Sequence, residues 1–144
     1  MLIATWYTDD FYRREAERLV RSCLRYDIAC LAIKVESKVG WVANCAQKAM
    51  TIIRAANMLP TTDMLFLDAD AVIVQPVSEW PKMPGLRLAA RRRDGRLLTG
   101  SLWVPAVDEA RSAVWKWQKA SRPDEWDQQT LQVLADSGEI DMDE

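Results

Sequence analysis

Histidine is absent from all 144 residues of the chain. That excludes Ser-His and Cys-His nucleophilic pairs, imidazole metal ligands and the usual base near neutral pH. Any chemistry must therefore run on carboxylates, lysine, arginine and hydroxyls. Cysteine is scarce: Cys23, Cys30 and Cys45 are odd in number and form no C-x-x-C pair. This fits reduced thiols in the cytoplasm and argues against a disulfide framework or zinc knuckle. Only five glycines occur, with neither G-x-G-x-x-G nor a Walker loop, so phosphates are not cradled in the Rossmann or P-loop manner. No apolar run approaches the roughly 18 residues of a membrane span. The opening MLIATWYTDD has neither the basic flank nor the apolar stretch of a signal peptide, and a soluble, unprocessed, cytoplasmic protein is expected. A formal net charge of −2 with both signs dispersed gives nucleic acid or an anionic membrane little hold as main partner. A small ligand is expected instead.

What is present suits one domain. About half the residues are apolar, enough at this length for one continuous core. LIATWYT (2–8) reads as a strand. DDFYRREAERLVRSCLRY (9–26) then carries apolar residues at helical spacing, with Asp9 or Asp10 as N-cap. IACLAIKV (28–35) is a second strand, and WVANCAQKAMTIIRAANML (41–59) a second helix stopped by Pro60. MLFLDADAVIV (64–74) is a third strand. Residues 86–104 predict a hairpin turning at Asp94-Gly95, followed by helices near 107–120 and 127–136. Alternating strands and helices predict an α/β fold with a mostly parallel central sheet, helices on both faces and a C-terminal hairpin plus helices. The domain is expected to span 1–136, with 137–144 an acidic mobile tail.

MLFLDADAVIV raises the functional question. On an extended chain Asp68 and Asp70 project to one face, about 7 Å apart at their Cα atoms. Two ionised carboxylates at the end of an apolar strand are costly unless a cation compensates them, and hard oxygen donors select Mn²⁺ or Mg²⁺. Ligands of open α/β sheets bind at such strand ends. The bland alternative is a strand-end turn in which both side chains bond local amides.

LFLDADAVIV resembles the DxD motif of GT-A-fold glycosyltransferases, the nucleotide-diphospho-sugar transferases. LIATWYTDD, the helix with Trp41, Asn44 and Lys48, LLTGSLWVP and DEWDQQTLQVL follow in the family's order, so the resemblance covers nearly the whole chain. It implies a GT-A-like, Rossmann-like sheet and transfer of a sugar from a nucleotide-diphosphate sugar, UDP-linked, to a hydroxyl acceptor. Carried over by position, Thr5, Tyr7, Trp41 and Lys48 would serve donor binding, Lys48 at the diphosphate. Asp68 and Asp70 would hold the metal, Asp68 also meeting the donor. Gly100 and Ser101 would line the sugar side, and Asp127 and Gln128 would be the catalytic pair. Many metal-dependent members add a C-terminal histidine. Here an acid such as Asp141, or diphosphate and water, would complete the shell.

Other readings compete. Asp127 could simply cap its helix, and Lys48 could lie on a solvated helix face. Arg91, Arg92, Arg93 and Arg96 read as an exposed edge, Trp6, Trp103 and Trp115 as core packing, and the cysteines as small core residues. Trp41 or Trp126 could stack on a sugar. A haloacid-dehalogenase-type phosphatase shares the DxD-after-strand pattern but needs a later lysine and acidic pair. A shortened transferase fold could also be a non-catalytic nucleotide-sugar-binding module.

Overall fold

The computed structural model describes residues 1–76 and 85–143. Their order is β1 (Leu2–Tyr7), α1 (Asp10–Leu24), β2 (Cys30–Lys34), α2 (Trp41–Cys45), α3 (Lys48–Met58), β3 (Met64–Leu67), β4 (Leu88–Arg93), β5 (Arg96–Val104), α4 (Asp108–Ala120), α5 (Asp127–Asp136) and β6 (Met142–Asp143). The strands form one sheet in the order β2-β1-β3-β5-β4-β6. β1 runs parallel to β2 and β3, and β4 parallel to β6, while β5 is antiparallel to both neighbours. Three of the five pairings are thus parallel, as the alternating pattern predicts.

Strand alternation sorts the core onto two faces. Ile3 points toward α1, where it packs with Leu19, Cys23, Leu67 and Ile73. Leu2 and Ala4 point the other way, into a larger cluster with Ile52, Phe66, Val114, Trp117 and Leu131 from β3 and α3 to α5. Helices therefore cover both faces. Asp9 starts α1, its Oδ1 accepting from the N–H groups of Phe11 (2.9 Å) and Tyr12 (3.0 Å). The hairpin turn has positive φ at both Asp94 (51°) and Gly95 (75°), the geometry that suits the twist of two adjoining strands.

Four expectations are corrected. The helix expected over 41–59 is two, α2 and α3, because side chains at the break bond to the preceding loop. Asn44 Oδ1 accepts from Lys38 N (2.7 Å), and Gln47 Nε2 donates to Glu36 O (3.0 Å). The third strand ends at Leu67, not Val74. Asp68 O accepts from Ala71 N (3.1 Å) in a turn, and the chain then lies across α1, with Arg18 bonded to Asp70 O and Ser22 to Ile73 N. The acidic end is tied down as far as Asp143: Ile140 is buried and Met142–Asp143 pair with Leu88–Ala89. Glu144 lies outside the described residues. Trp115 is exposed, and the tryptophan that fills the core from α4 is Trp117. Trp103 is buried and Trp6 half-buried, as packing residues. No helix among the described residues is long and apolar enough to cross a membrane.

Candidate active site

The site forms where β3 leaves the sheet, beside the first residues of α3 and α5. Lys48 opens α3 and is only 4% exposed, so the solvated-face reading fails. Its ammonium lies 2.9 Å from Asp68 Oδ1 and 3.0 Å from Asp127 Oδ2. It also donates to the carbonyl and hydroxyl oxygens of Thr99, each at 3.2 Å. Burial alone would lower the Lys48 pKa, but Asp68 and Asp127 outweigh it and hold the ammonium above its ordinary value. It is a fixed, fully bonded cation.

Asp127 is positioned for that cation rather than for its helix. Trp126 is the N-cap of α5 and makes no side-chain cap bond, whereas Asp127 Oδ2 also accepts from Thr99 Oγ1 at 2.8 Å. The Asp127 carbonyl takes a 3.0 Å bond from the indole N–H of buried Trp117, fixing the residue from the core side. The cap reading of Asp127 is set aside.

Asp68 is locked from two directions. Its N–H donates to Gly100 O at 3.0 Å. A Cβ on Gly100 would stand 3.2 Å from Asp68 Oδ2, so glycine leaves the space this carboxylate fills. Burial raises the Asp68 pKa by more than Lys48 lowers it, and the carboxylates of Asp127 and Asp70 push the same way. Lys48 thus pairs with two carboxylates, Asp68 and Asp127, and Asp70 adds a third beside Asp68, so acids outnumber the one ammonium here.

Asp68 and Asp70 border a cavity of about 290 Å³ whose wall includes Tyr7, Tyr12, Trp41, Asn44 and Lys48. Trp41, Asn44 and Lys48, which the resemblance grouped on one helix, do meet there. Cys45 shares the wall, but burial, with Asp127 next in effect, pushes its thiol up to about 11. It stays protonated and is no nucleophile.

Not every sequence candidate meets at this cavity. Thr5 is fully buried against β2, pairing with Ala32, and is absent from the cavity wall. Among the described residues its hydroxyl has no hydrogen-bond partner. Gly100 and Ser101 on β5 and Asp127 and Gln128 on α5 are also outside that wall; Gly100 and Asp127 reach it only through Asp68 and Lys48, and Ser101 and Gln128 are half-buried beside them. Asp141 is ion-paired to Arg87 (3.1 Å), beside the Leu88–Met142 pairing. The register carries that position to the Met64 end of β3, opposite Asp68, so Asp141 cannot complete a metal shell there. Thr99 was missed from sequence; its only signal is its place beside Gly100.

Among the described residues no group of three or more acidic or cysteine side chains is arranged to hold a metal. The donor set is the carboxylate pair Asp68 and Asp70. Two hard oxygen donors with surplus negative charge fit Mn²⁺ or Mg²⁺ provided substrate and water supply the remaining ligands.

No family model matches the chain, and no curated protein matches it significantly. Solved structures do. A glycosyltransferase involved in the glycosylation of the major capsid of PBCV-1 aligns with a TM-score of 0.69 at 16% identity, over 97% of this chain and 77% of that one. The chain has a glycosyltransferase fold. The apo form of the glycosyltransferase GlyE from Streptococcus pneumoniae TIGR4 aligns with a TM-score of 0.58 at 15% identity, over 99% of this chain and 45% of GlyE. The chain thus spans less than half of GlyE. These likenesses agree with a GT-A-like sheet.

Proposed function

We propose that the chain transfers a sugar from a nucleotide-diphosphate sugar, UDP-linked, to a hydroxyl acceptor, with Mn²⁺ or Mg²⁺ held by Asp68 and Asp70. The observation that carries this reading is the buried Lys48 ammonium bridging Asp68 and Asp127 at the wall of an aromatic-lined cavity. A phosphatase of the haloacid-dehalogenase type fits less well, because the lysine that meets Asp68 precedes it in the chain rather than following it.

A bound ion would supply positive charge to the diphosphate leaving group. Without it, a diphosphate would meet a pocket that already carries surplus negative charge. Tyr7, Tyr12 and Trp41 offer apolar faces to the nucleoside, and Gly100 leaves the Asp68 carboxylate room. Lys48 holds Asp68 and Asp127 in fixed relation. Asp127 presents its charge beside the sugar, where it stabilises the positive anomeric centre or takes the acceptor proton.

Titration calorimetry of UDP with and without Mn²⁺ tests the assignment. Affinity should rise with Mn²⁺ in the parent and lose that dependence in Asp70→Asn, because an amide lacks the charge a hard cation requires. An unchanged metal dependence in Asp70→Asn would remove Asp70 from the site. UDP binding with no turnover of any UDP-sugar would turn the reading into a non-catalytic binding module.

A further inference from the structure

Two large indoles meet at the edge of the cavity, Trp41 in its wall and Trp126 against Trp41 outside it. Trp41 opens α2 and is 56% exposed, and Trp126 precedes Asp127 and is 49% exposed. Their rings meet edge to face, centroids 5.2 Å apart and planes at 90°. This contact fixes both rings while leaving broad faces in water, a cost for so much apolar surface unless a ligand covers it. Trp41 also belongs to the cavity wall with Lys48, Asp68 and Asp70, whereas Trp126 does not. The pair therefore extends from the cavity wall at Trp41 to the residue that precedes Asp127.

We infer that this pair is a saccharide subsite: the acceptor is a sugar ring that stacks on Trp126 and brings one hydroxyl to Asp127. The inference rests on the proposed transferase reading. The chemistry that matches the surface is a pyranose, which has one face of C–H groups for an indole and a rim of hydroxyls for surrounding polar groups. Half-exposed Glu125, next to Trp126, supplies a carboxylate acceptor for that rim, and the buried Asp127, held by Lys48 and Thr99, leaves one edge for a single hydroxyl. A lipid acceptor would call for a longer continuous apolar surface, and a peptide for an extended groove. The two indoles present ring-sized faces instead.

Saturation-transfer NMR with methyl β-D-glucopyranoside, methyl β-D-galactopyranoside and methyl α-D-mannopyranoside tests this, with an N-acetylserine amide as the non-saccharide probe and UDP plus Mn²⁺ titrated in parallel. At least one pyranoside should show contact at its ring C–H protons. That signal should fall by about fivefold or more in Trp126→Ala, as loss of an aromatic contact implies, and persist in Trp126→Phe. UDP affinity should fall far less than the pyranoside signal in Trp126→Ala, since Trp126 touches the cavity only through Trp41. Trp41→Leu, which removes the edge partner of Trp126 together with a face offered to the nucleoside, should weaken both the pyranoside signal and UDP binding. Absence of pyranoside binding, an unaltered signal in Trp126→Ala, or binding of the serine amide alone would overturn the inference. UDP binding without pyranoside binding refutes the subsite and leaves the donor reading standing. Pyranoside binding that depends on Trp126 without UDP binding does the reverse.

Discussion

At the scale of single residues, two buried polar groups make opposite forecasts. Thr5 buries a hydroxyl with no hydrogen-bond partner among the described residues, which costs free energy that valine would not incur. Thr5→Val should raise stability by about 1 kcal/mol in urea denaturation, with UDP affinity unchanged; a loss of UDP affinity would restore Thr5 to the donor site. Lys48 is the contrary case, a buried cation whose every close contact is an oxygen. Lys48→Met leaves Asp68 and Asp127 facing each other without compensation and should cost about 3 kcal/mol. Because the folded pKa of Lys48 is raised, its stabilising contribution is complete below the unfolded lysine value of about 10.4 and fades as pH climbs through the higher folded value. On the alkaline side the stability gap between parent and Lys48→Met should therefore narrow only above that pH. A gap that is flat across the alkaline range would mean that Lys48 contributes packing alone.

At the scale of elements, strand and helix existence was legible in the sequence because period and apolar content agreed, as in α1 and α5. The ends were not, where a side chain outbid the local pattern. MLFLDADAVIV stays apolar through Val74, yet the strand stops at Leu67 because Asp68 turns and the next residues bond to α1. Helical spacing likewise runs through Gln47, but its amide belongs to the loop at Glu36. The β3–β5 contact carries a sharper test. In Gly100→Ala the strand gains from losing glycine while the new Cβ crowds Asp68 Oδ2; these offset to within about 1 kcal/mol of the parent. Metal-dependent UDP affinity should nevertheless fall by about tenfold, because the displaced carboxylate is a proposed ligand. Calorimetry showing parental affinity would mean that Asp68 has freedom to move.

At the scale of the whole molecule, the sheet gathers what the sequence separates. Lys48, Asp68, Thr99 and Asp127 come from α3, the end of β3, β5 and the start of α5. The sequence marked Lys48, Asp68 and Asp127 one by one but could not show that one ammonium joins them, since that depends on which helix end meets which strand end. Thr99 carried no mark, because a threonine within a strand is ordinary until its neighbours are known. On the proposed reading this buried cluster serves chemistry at a sugar and is more than an internal ion pair. Asp127→Asn separates the two, because the amide keeps the volume and the bond to Thr99 while removing the charge, and Lys48 retains Asp68. The direct measurement is release of UDP from UDP-sugars with Mn²⁺, compared between parent and Asp127→Asn at equal donor occupancy. The fold should stay intact, donor affinity should remain near the parent's and turnover should fall by about 10²-fold or more. Parental turnover by Asp127→Asn would contradict that reading and leave the Lys48 cluster as a structural device.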